Sequence, residues 1–197
     1  MSPLFNSRAA ELPESLSTEE KSALLQIARR SLVEAIVHGR RWEPDSVSGL
    51  LSERRGAFVT LHRGKELRGC VGQVEPHNSL AVVVARCAIS AAREDDRFNP
   101  VQPEEVPQLS IEISVLSPPE PIAQNEIQTG THGLIAERGP FRGLLLPQVA
   151  TERNWTPEKF LSETCLKAGL PSDAWKSKET RILGFTAEVF SEQERSQ

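Results

Sequence analysis

The sequence predicts an α+β protein with mainly antiparallel sheet. Three observations carry that expectation. Residues 56–72 have the pattern of a β-hairpin, and Leu109, Ile111, Ile113 and Val115 alternate with Ser110, Glu112 and Ser114. Helices of unequal length separate the remaining strands, which does not match a regular βαβ wind.

The chain has 197 residues, enough for one domain or two small ones sharing a core. Its net charge of -4 gives no global drive toward nucleic acid or anionic lipid. No apolar run approaches the roughly 20 residues of a membrane helix. The N-terminus, Met1-Ser2-Pro3-Leu4-Phe5-Asn6-Ser7-Arg8, lacks the basic and apolar regions of a secretory signal. Cys70, Cys87 and Cys165 are odd in number and far apart, and His38, His62, His77 and His132 are equally scattered. Neither a disulfide framework nor a metal site is expected, and reduced thiols without a signal point to the cytoplasm.

Residues 1–15 and 192–197 read as polar tails around a folded region at 16–191. Ser17 and Glu20 have capping-box spacing. Leu24, Ile27, Ala28, Leu32, Ala35 and Ile36 then recur at helical intervals up to Gly39. In the hairpin, Gly64-Lys65 fits a type II′ turn. Ser79 caps a helix running to about Glu94, apolar nearly all round and therefore buried on most sides. A second hairpin is expected across Gly133–Ala136 and Arg142–Leu146, turning at Gly139-Pro140. Thr156-Pro157 starts a helix that points Phe160, Leu161, Thr164 and Leu166 inward and ends near Gly169. Arg181 to Phe190 reads as one long strand.

The segment Glu66-Leu67-Arg68-Gly69-Cys70-Val71-Gly72 resembles the LRGCIG signature of the AMMECR domain family, also called AmmeMemoRadiSam system protein A. The resemblance extends through Gly56-Ala-Phe-Val-Thr-Leu61, Asp96-Arg97-Phe98, Ile111-Glu112-Ile113-Ser114-Val115-Leu116, Arg142-Gly-Leu-Leu-Leu-Pro-Gln-Val149 and Cys165-Leu-Lys-Ala-Gly-Leu170. In all it spans roughly residues 17–190. Val71 departs from the usual Ile, and Gly64-Lys65 from the common Asn-Gly turn. The resemblance implies two closely packed subdomains, each with an antiparallel sheet flanked by helices, grouped with RAGNYA-like folds. It also implies an association with Memo-like and radical SAM proteins.

Within the signature, a turn at Gly64-Lys65 sets Val59 opposite Cys70 and Leu61 opposite Arg68. That register turns His62 away from the thiol and buries Cys70 among apolar neighbours. The alternative is a nucleophilic or redox Cys70 with Arg68 stabilising its thiolate. Arg68 needs an anionic partner, either a ligand or an internal carboxylate such as Glu112 or Asp96. Gly69 and Gly72 suggest a distorted strand approached closely by a ligand or by another backbone. Asp95 and Asp96 lie at a helix C-terminus, where the dipole disfavours them, which points either to a function such as acid–base chemistry or to a pairing with Arg97. Glu112 and Gln148 are further candidates for ligand contact, on a strand face and after the second hairpin.

No glycine-rich phosphate loop, GxSxG elbow, HExxH or P-loop lysine motif is present, so no cofactor is expected. With no tyrosine and 5% aromatic residues, a stacking platform for single strands is poorly supplied. The leading expectation is an accessory protein that binds an anionic ligand, nucleotide or RNA through Arg68, Gly69, Gly72, Asp96, Arg97, Glu112 and Gln148. An enzyme using Cys70 and a protein-interaction scaffold are the alternatives.

Overall fold

The computed structural model describes residues 15–75 and 77–192. The expected tails lie outside them except for Ser15 and Glu192. Ser15 donates to the Glu188 carboxylate, while Glu192 donates its N–H to the Ile111 carbonyl and holds Arg29 with its side chain.

The first helix, α1 (Thr18–Ile36), opens on the expected capping box: Ser17 Oγ accepts the Glu20 N–H, and the Glu20 carboxylate accepts the Ser17 N–H. It ends where Gly39 takes a φ of +66. A 3-10 turn over Gly49–Ser52 follows. The hairpin is β1 (Ala57–Arg63) and β2 (Glu66–Gln73). Gly64 has a φ of +59 and Lys65 no positive φ, as a type II′ turn requires. The buried helix is α2 (Leu80–Arg93), with nine buried side chains; Ser79 sits at its N-cap without a side-chain cap bond. A 3-10 turn over Pro103–Gln108 leads into β3 (Leu109–Leu116).

The chain then leaves for a second sheet through β4 (Glu120–Pro121), β5 (Gly133–Arg138) and β6 (Phe141–Leu145). Short α3 (Pro147–Glu152) and then α4 (Pro157–Lys167) follow. On α4 the expected inward Leu166 is 51% exposed, and Cys165 is buried in its place. The final segment is not one strand. It breaks at Thr186 into β7 (Arg181–Phe185), in the second sheet, and β8 (Ala187–Ser191), in the first.

Two antiparallel four-stranded sheets result, ordered β2-β1-β3-β8 and β4-β7-β5-β6. The α+β class is therefore as expected. Both crossings between the sheets lie side by side. Ser117 donates its N–H to the Thr186 carbonyl, and Thr186 returns its N–H to Ser117 Oγ, each at 2.9 Å.

The first sheet buries Ala57, Val59, Leu61, Ile111 and Ile113 against α1 and α2. Its opposite face meets the second sheet at one end only. There Phe58, Val74, Leu116 and Ala187 pack on Ile135, Leu144, Leu146, Leu183 and Phe185. The rest of that face is polar apart from the exposed Val189, and it carries the candidate site. No helix among the described residues is long and apolar enough to cross a membrane.

Candidate functional site

A β-bulge decides which side chains face outward. Pairing runs Thr60↔Cys70 and Leu61↔Gly69, then jumps to His62↔Leu67, leaving Arg68 as the extra residue. A one-residue shift moves side chains to the other face of a strand. The expected register, Val59 opposite Cys70, is thus corrected. Cys70 does not lie among the core residues. It is half-buried on the polar face, where its sulfur receives the Thr60 hydroxyl at 3.3 Å. His62 is also on that face, but toward the turn and paired with Ser110 of β3.

Thr60 is the centre of a row. It pairs with Cys70 on one side and with Glu112 on the other, and Glu112 pairs in turn with Ser191. Directly opposed residues share a face. Cys70, Thr60, Glu112 and Ser191 therefore cross all four strands of the first sheet in one line. Glu112 is half-buried, and Ser114, one step closer to the second sheet, is 4% exposed.

At the β2 end of the row stands Asp95, 5% exposed as a side chain. Oδ2 accepts the Cys70 N–H at 2.8 Å. The carboxylate also takes Arg97 Nε and Nη2 at 2.8 and 2.7 Å. The Arg97 guanidinium, aided by the Cys70 and Arg97 N–H groups, holds the Asp95 carboxyl far below the usual carboxylate range against the opposing effect of burial. Arg97 is itself raised, first by Asp95 and also by its nearness to the Cys70 sulfur. Its side chain remains 53% exposed. The charged group beside the thiol is thus a half-exposed guanidinium fixed by a buried carboxylate.

Arg68 has an internal partner, and that partner is neither Glu112 nor Asp96. Its guanidinium makes two bonds to Glu105, at 2.9 and 3.0 Å, with only 13% of the side chain exposed. Glu105 also closes the 3-10 turn by accepting the Gln102 N–H. Arg68, then Gln102, lower the Glu105 carboxyl to about 2.

The two glycines are explained by packing. A Cβ at Gly69 would lie 2.0 Å from the Ala91 carbonyl oxygen, so the backbone approaching this strand is that of α2. A Cβ at Gly72 would lie 2.3 Å from the Phe58 ring. Asp96 is exposed, and Asp95 fills the buried position beside β2 instead. Gln148 is exposed in the first turn of α3, off the four-residue row. Among the described residues, no group of His, Cys, Asp and Glu is placed to hold a metal ion.

A family model described as AMMECR1 matches residues 25–190, most of the chain. The chain belongs to the AMMECR1 family. It is similar to an AMMECR1-family protein of Methanothermobacter thermautotrophicus, 45% identical over 185 residues that cover 90% of this chain and 96% of that one. Protein MJ0810 of Methanocaldococcus jannaschii is 42% identical over 188 residues, covering 91% and 93%. Among solved structures, the uncharacterized protein PH0010 from Pyrococcus horikoshii superposes with a TM-score of 0.76 at 43% identity, covering 86% of this chain and 90% of that chain.

In this AMMECR1-family chain, sequence reasoning missed Thr60 and Glu105, and it placed Asp96 rather than Asp95 among the ligand-binding residues. The unfavourable position of Asp95 and its pairing with Arg97 were nonetheless legible. A carboxylate at a helix C-terminus is locally unfavourable and needs a compensating partner. Thr60 gave no such signal, because its role depends on the bulge.

Proposed function

We propose that this AMMECR1-family chain is an accessory protein that binds a small anionic ligand of nucleotide size on the open face of its first sheet. The observation that carries the reading is the Asp95–Arg97 pair. A carboxylate tied to the Cys70 backbone presents a half-exposed guanidinium at the end of a polar row of thiol, hydroxyl and carboxylate groups. Pre-organised guanidinium groups suit phosphate and carboxylate recognition. Several features favour a small ligand over RNA. Binding RNA draws on many phosphate contacts. Here Arg68 is already bound to Glu105, the chain is acidic, and aromatic residues are scarce.

In this reading the chain acts beside Memo-like and radical SAM proteins. Native mass spectrometry of the protein purified from its own cells, alone and with those partners, tests both halves. We expect a non-covalent adduct of small-molecule mass, absent from Arg97→Ala, and a complex with at least one partner. A bare chain in every preparation contradicts the reading.

One observation favours a second reading, an enzyme that uses the Cys70 thiol. The bulge sets that thiol on the open face beside Thr60 and Arg97, outside the core.

A further inference from the structure

Glu112 stands out among the acidic side chains. Every other buried or half-buried carboxylate among the described residues has a cation or an N–H donor against it. Asp95 holds Arg97, Glu105 holds Arg68, Glu43 holds Arg86 and Glu188 holds Lys21. Glu20, Glu34, Glu137, Glu163 and Glu192 are satisfied in the same way. Glu112 is half-buried in an inner strand and has no hydrogen bond or ion pair of its side chain to any described residue. Partly removing a carboxylate from water without a donor is unfavourable. Moreover, its neighbours in the row, Thr60 and Ser191, are not cations.

We infer that Glu112 is the second anchor of the site and binds a hydrogen-bond donor carried by the ligand itself. This rests on the anionic-ligand reading and narrows it to a bifunctional molecule. Its anionic group lies at Arg97, and its hydroxyl or amino group lies at Glu112. Two strand spacings separate Cys70 from Glu112, about 10 Å. Arg97 lies just beyond Cys70. That span suits a nucleoside monophosphate, whose phosphate and donor-bearing base or sugar sit at opposite ends. Inorganic phosphate would reach only one anchor.

Calorimetric titration with three probes tests this: inorganic phosphate, adenosine 5′-monophosphate and 6-aminohexyl phosphate. The nucleotide tests hydroxyl and aromatic amine donors, and the aminoalkyl phosphate tests an ammonium. We expect at least one bifunctional probe to bind more tightly than phosphate. Glu112→Gln should weaken that probe about tenfold or more while leaving phosphate binding within about twofold. A second readout needs no ligand. If Glu112 serves binding, Glu112→Gln leaves the Tm of the free protein unchanged or raises it by about 1–3 °C.

Phosphate binding without any gain from the second group, or a Glu112→Gln variant that binds the bifunctional probe as well as the parent, overturns the inference and leaves the anion site standing. A Tm lowered by more than about 4 °C also overturns it, by making Glu112 structural. No binding of any probe overturns both readings.

Discussion

The Asp95 carboxylate accepts the Cys70 backbone N–H at 2.8 Å, tying the loop after α2 to the edge of the signature strand. Cys70 lies on an edge strand, so this N–H has no neighbouring strand to bond, and Asp95 supplies the acceptor. The same carboxylate fixes Arg97. We expect Asp95→Ala to destabilise the protein by about 2–3 kcal/mol, because it leaves an unpaired N–H and releases the guanidinium. Asp95→Asn keeps one acceptor and should lose about half as much. Urea unfolding of the two variants checks the order.

The acid limb of stability should follow the depressed carboxylates. Glu105 falls from an ordinary 4.5 to about 2, and Asp95 falls further. Both are lowered on folding, so their contribution is fully present above about pH 4.5 and is lost as pH falls toward 2. For Glu105 the screened contribution is about 1–2 kcal/mol. Arg68→Met should lower stability at pH 7 by a similar amount and flatten the decline between pH 4.5 and 2. An unchanged slope in thermal unfolding across that window would remove Arg68 as the cause.

The glycines of the hairpin should respond differently to substitution. At Gly69 a Cβ meets the Ala91 carbonyl oxygen at 2.0 Å, so helix α2 has to shift. Gly69→Ala should cost about 2–3 kcal/mol. At Gly64 nothing lies within 4 Å, and only the φ of +59 opposes a side chain. Gly64→Ala should cost about 1 kcal/mol. Denaturant midpoints measured on both variants give the comparison.

Thiol labelling distinguishes the open-face position of Cys70 from a core position. Cys87 is 2% exposed and Cys165 0%, whereas Cys70 is half-buried on the polar face. Burial also pushes the Cys87 thiol up to about 12. A small alkylating reagent should modify one cysteine in the folded protein, identified as Cys70 by peptide mass mapping. All three should react in denaturant. Equal protection of all three in the native state would return Cys70 to the core.

Much of the architecture could be read from local pattern. The capping box at Ser17 and Glu20, the left-handed Gly39 and Gly64, and the alternation of Leu109 to Val115 all express physics contained within a few residues. What escaped was non-local. The break at Thr186 comes from the bond to Ser117, about seventy positions away, which fixes where both crossings pass between sheets. The bulge at Arg68 was hinted at by two glycines in one strand, but its position could not be deduced from them. That single extra residue reversed the face of Cys70. Arg68 was rightly expected to need an anion, yet Glu105 was hidden inside a turn-forming Pro-Glu-Glu segment. The isolation of Glu112 could be seen only once the partners of all the other carboxylates were known.

The most direct test of the open-face site is amide chemical-shift mapping of the isotopically labelled protein titrated with adenosine 5′-monophosphate. We expect the perturbed amides to cluster at Phe58–His62, Cys70–Gly72, Asp95–Arg97 and Ser110–Ser114, and to shrink in Arg97→Ala. Perturbations scattered over the surface, or concentrated in the cavity lined by Arg41, Trp42, Glu43, Asp45 and Arg86, would contradict a binding site on the first sheet.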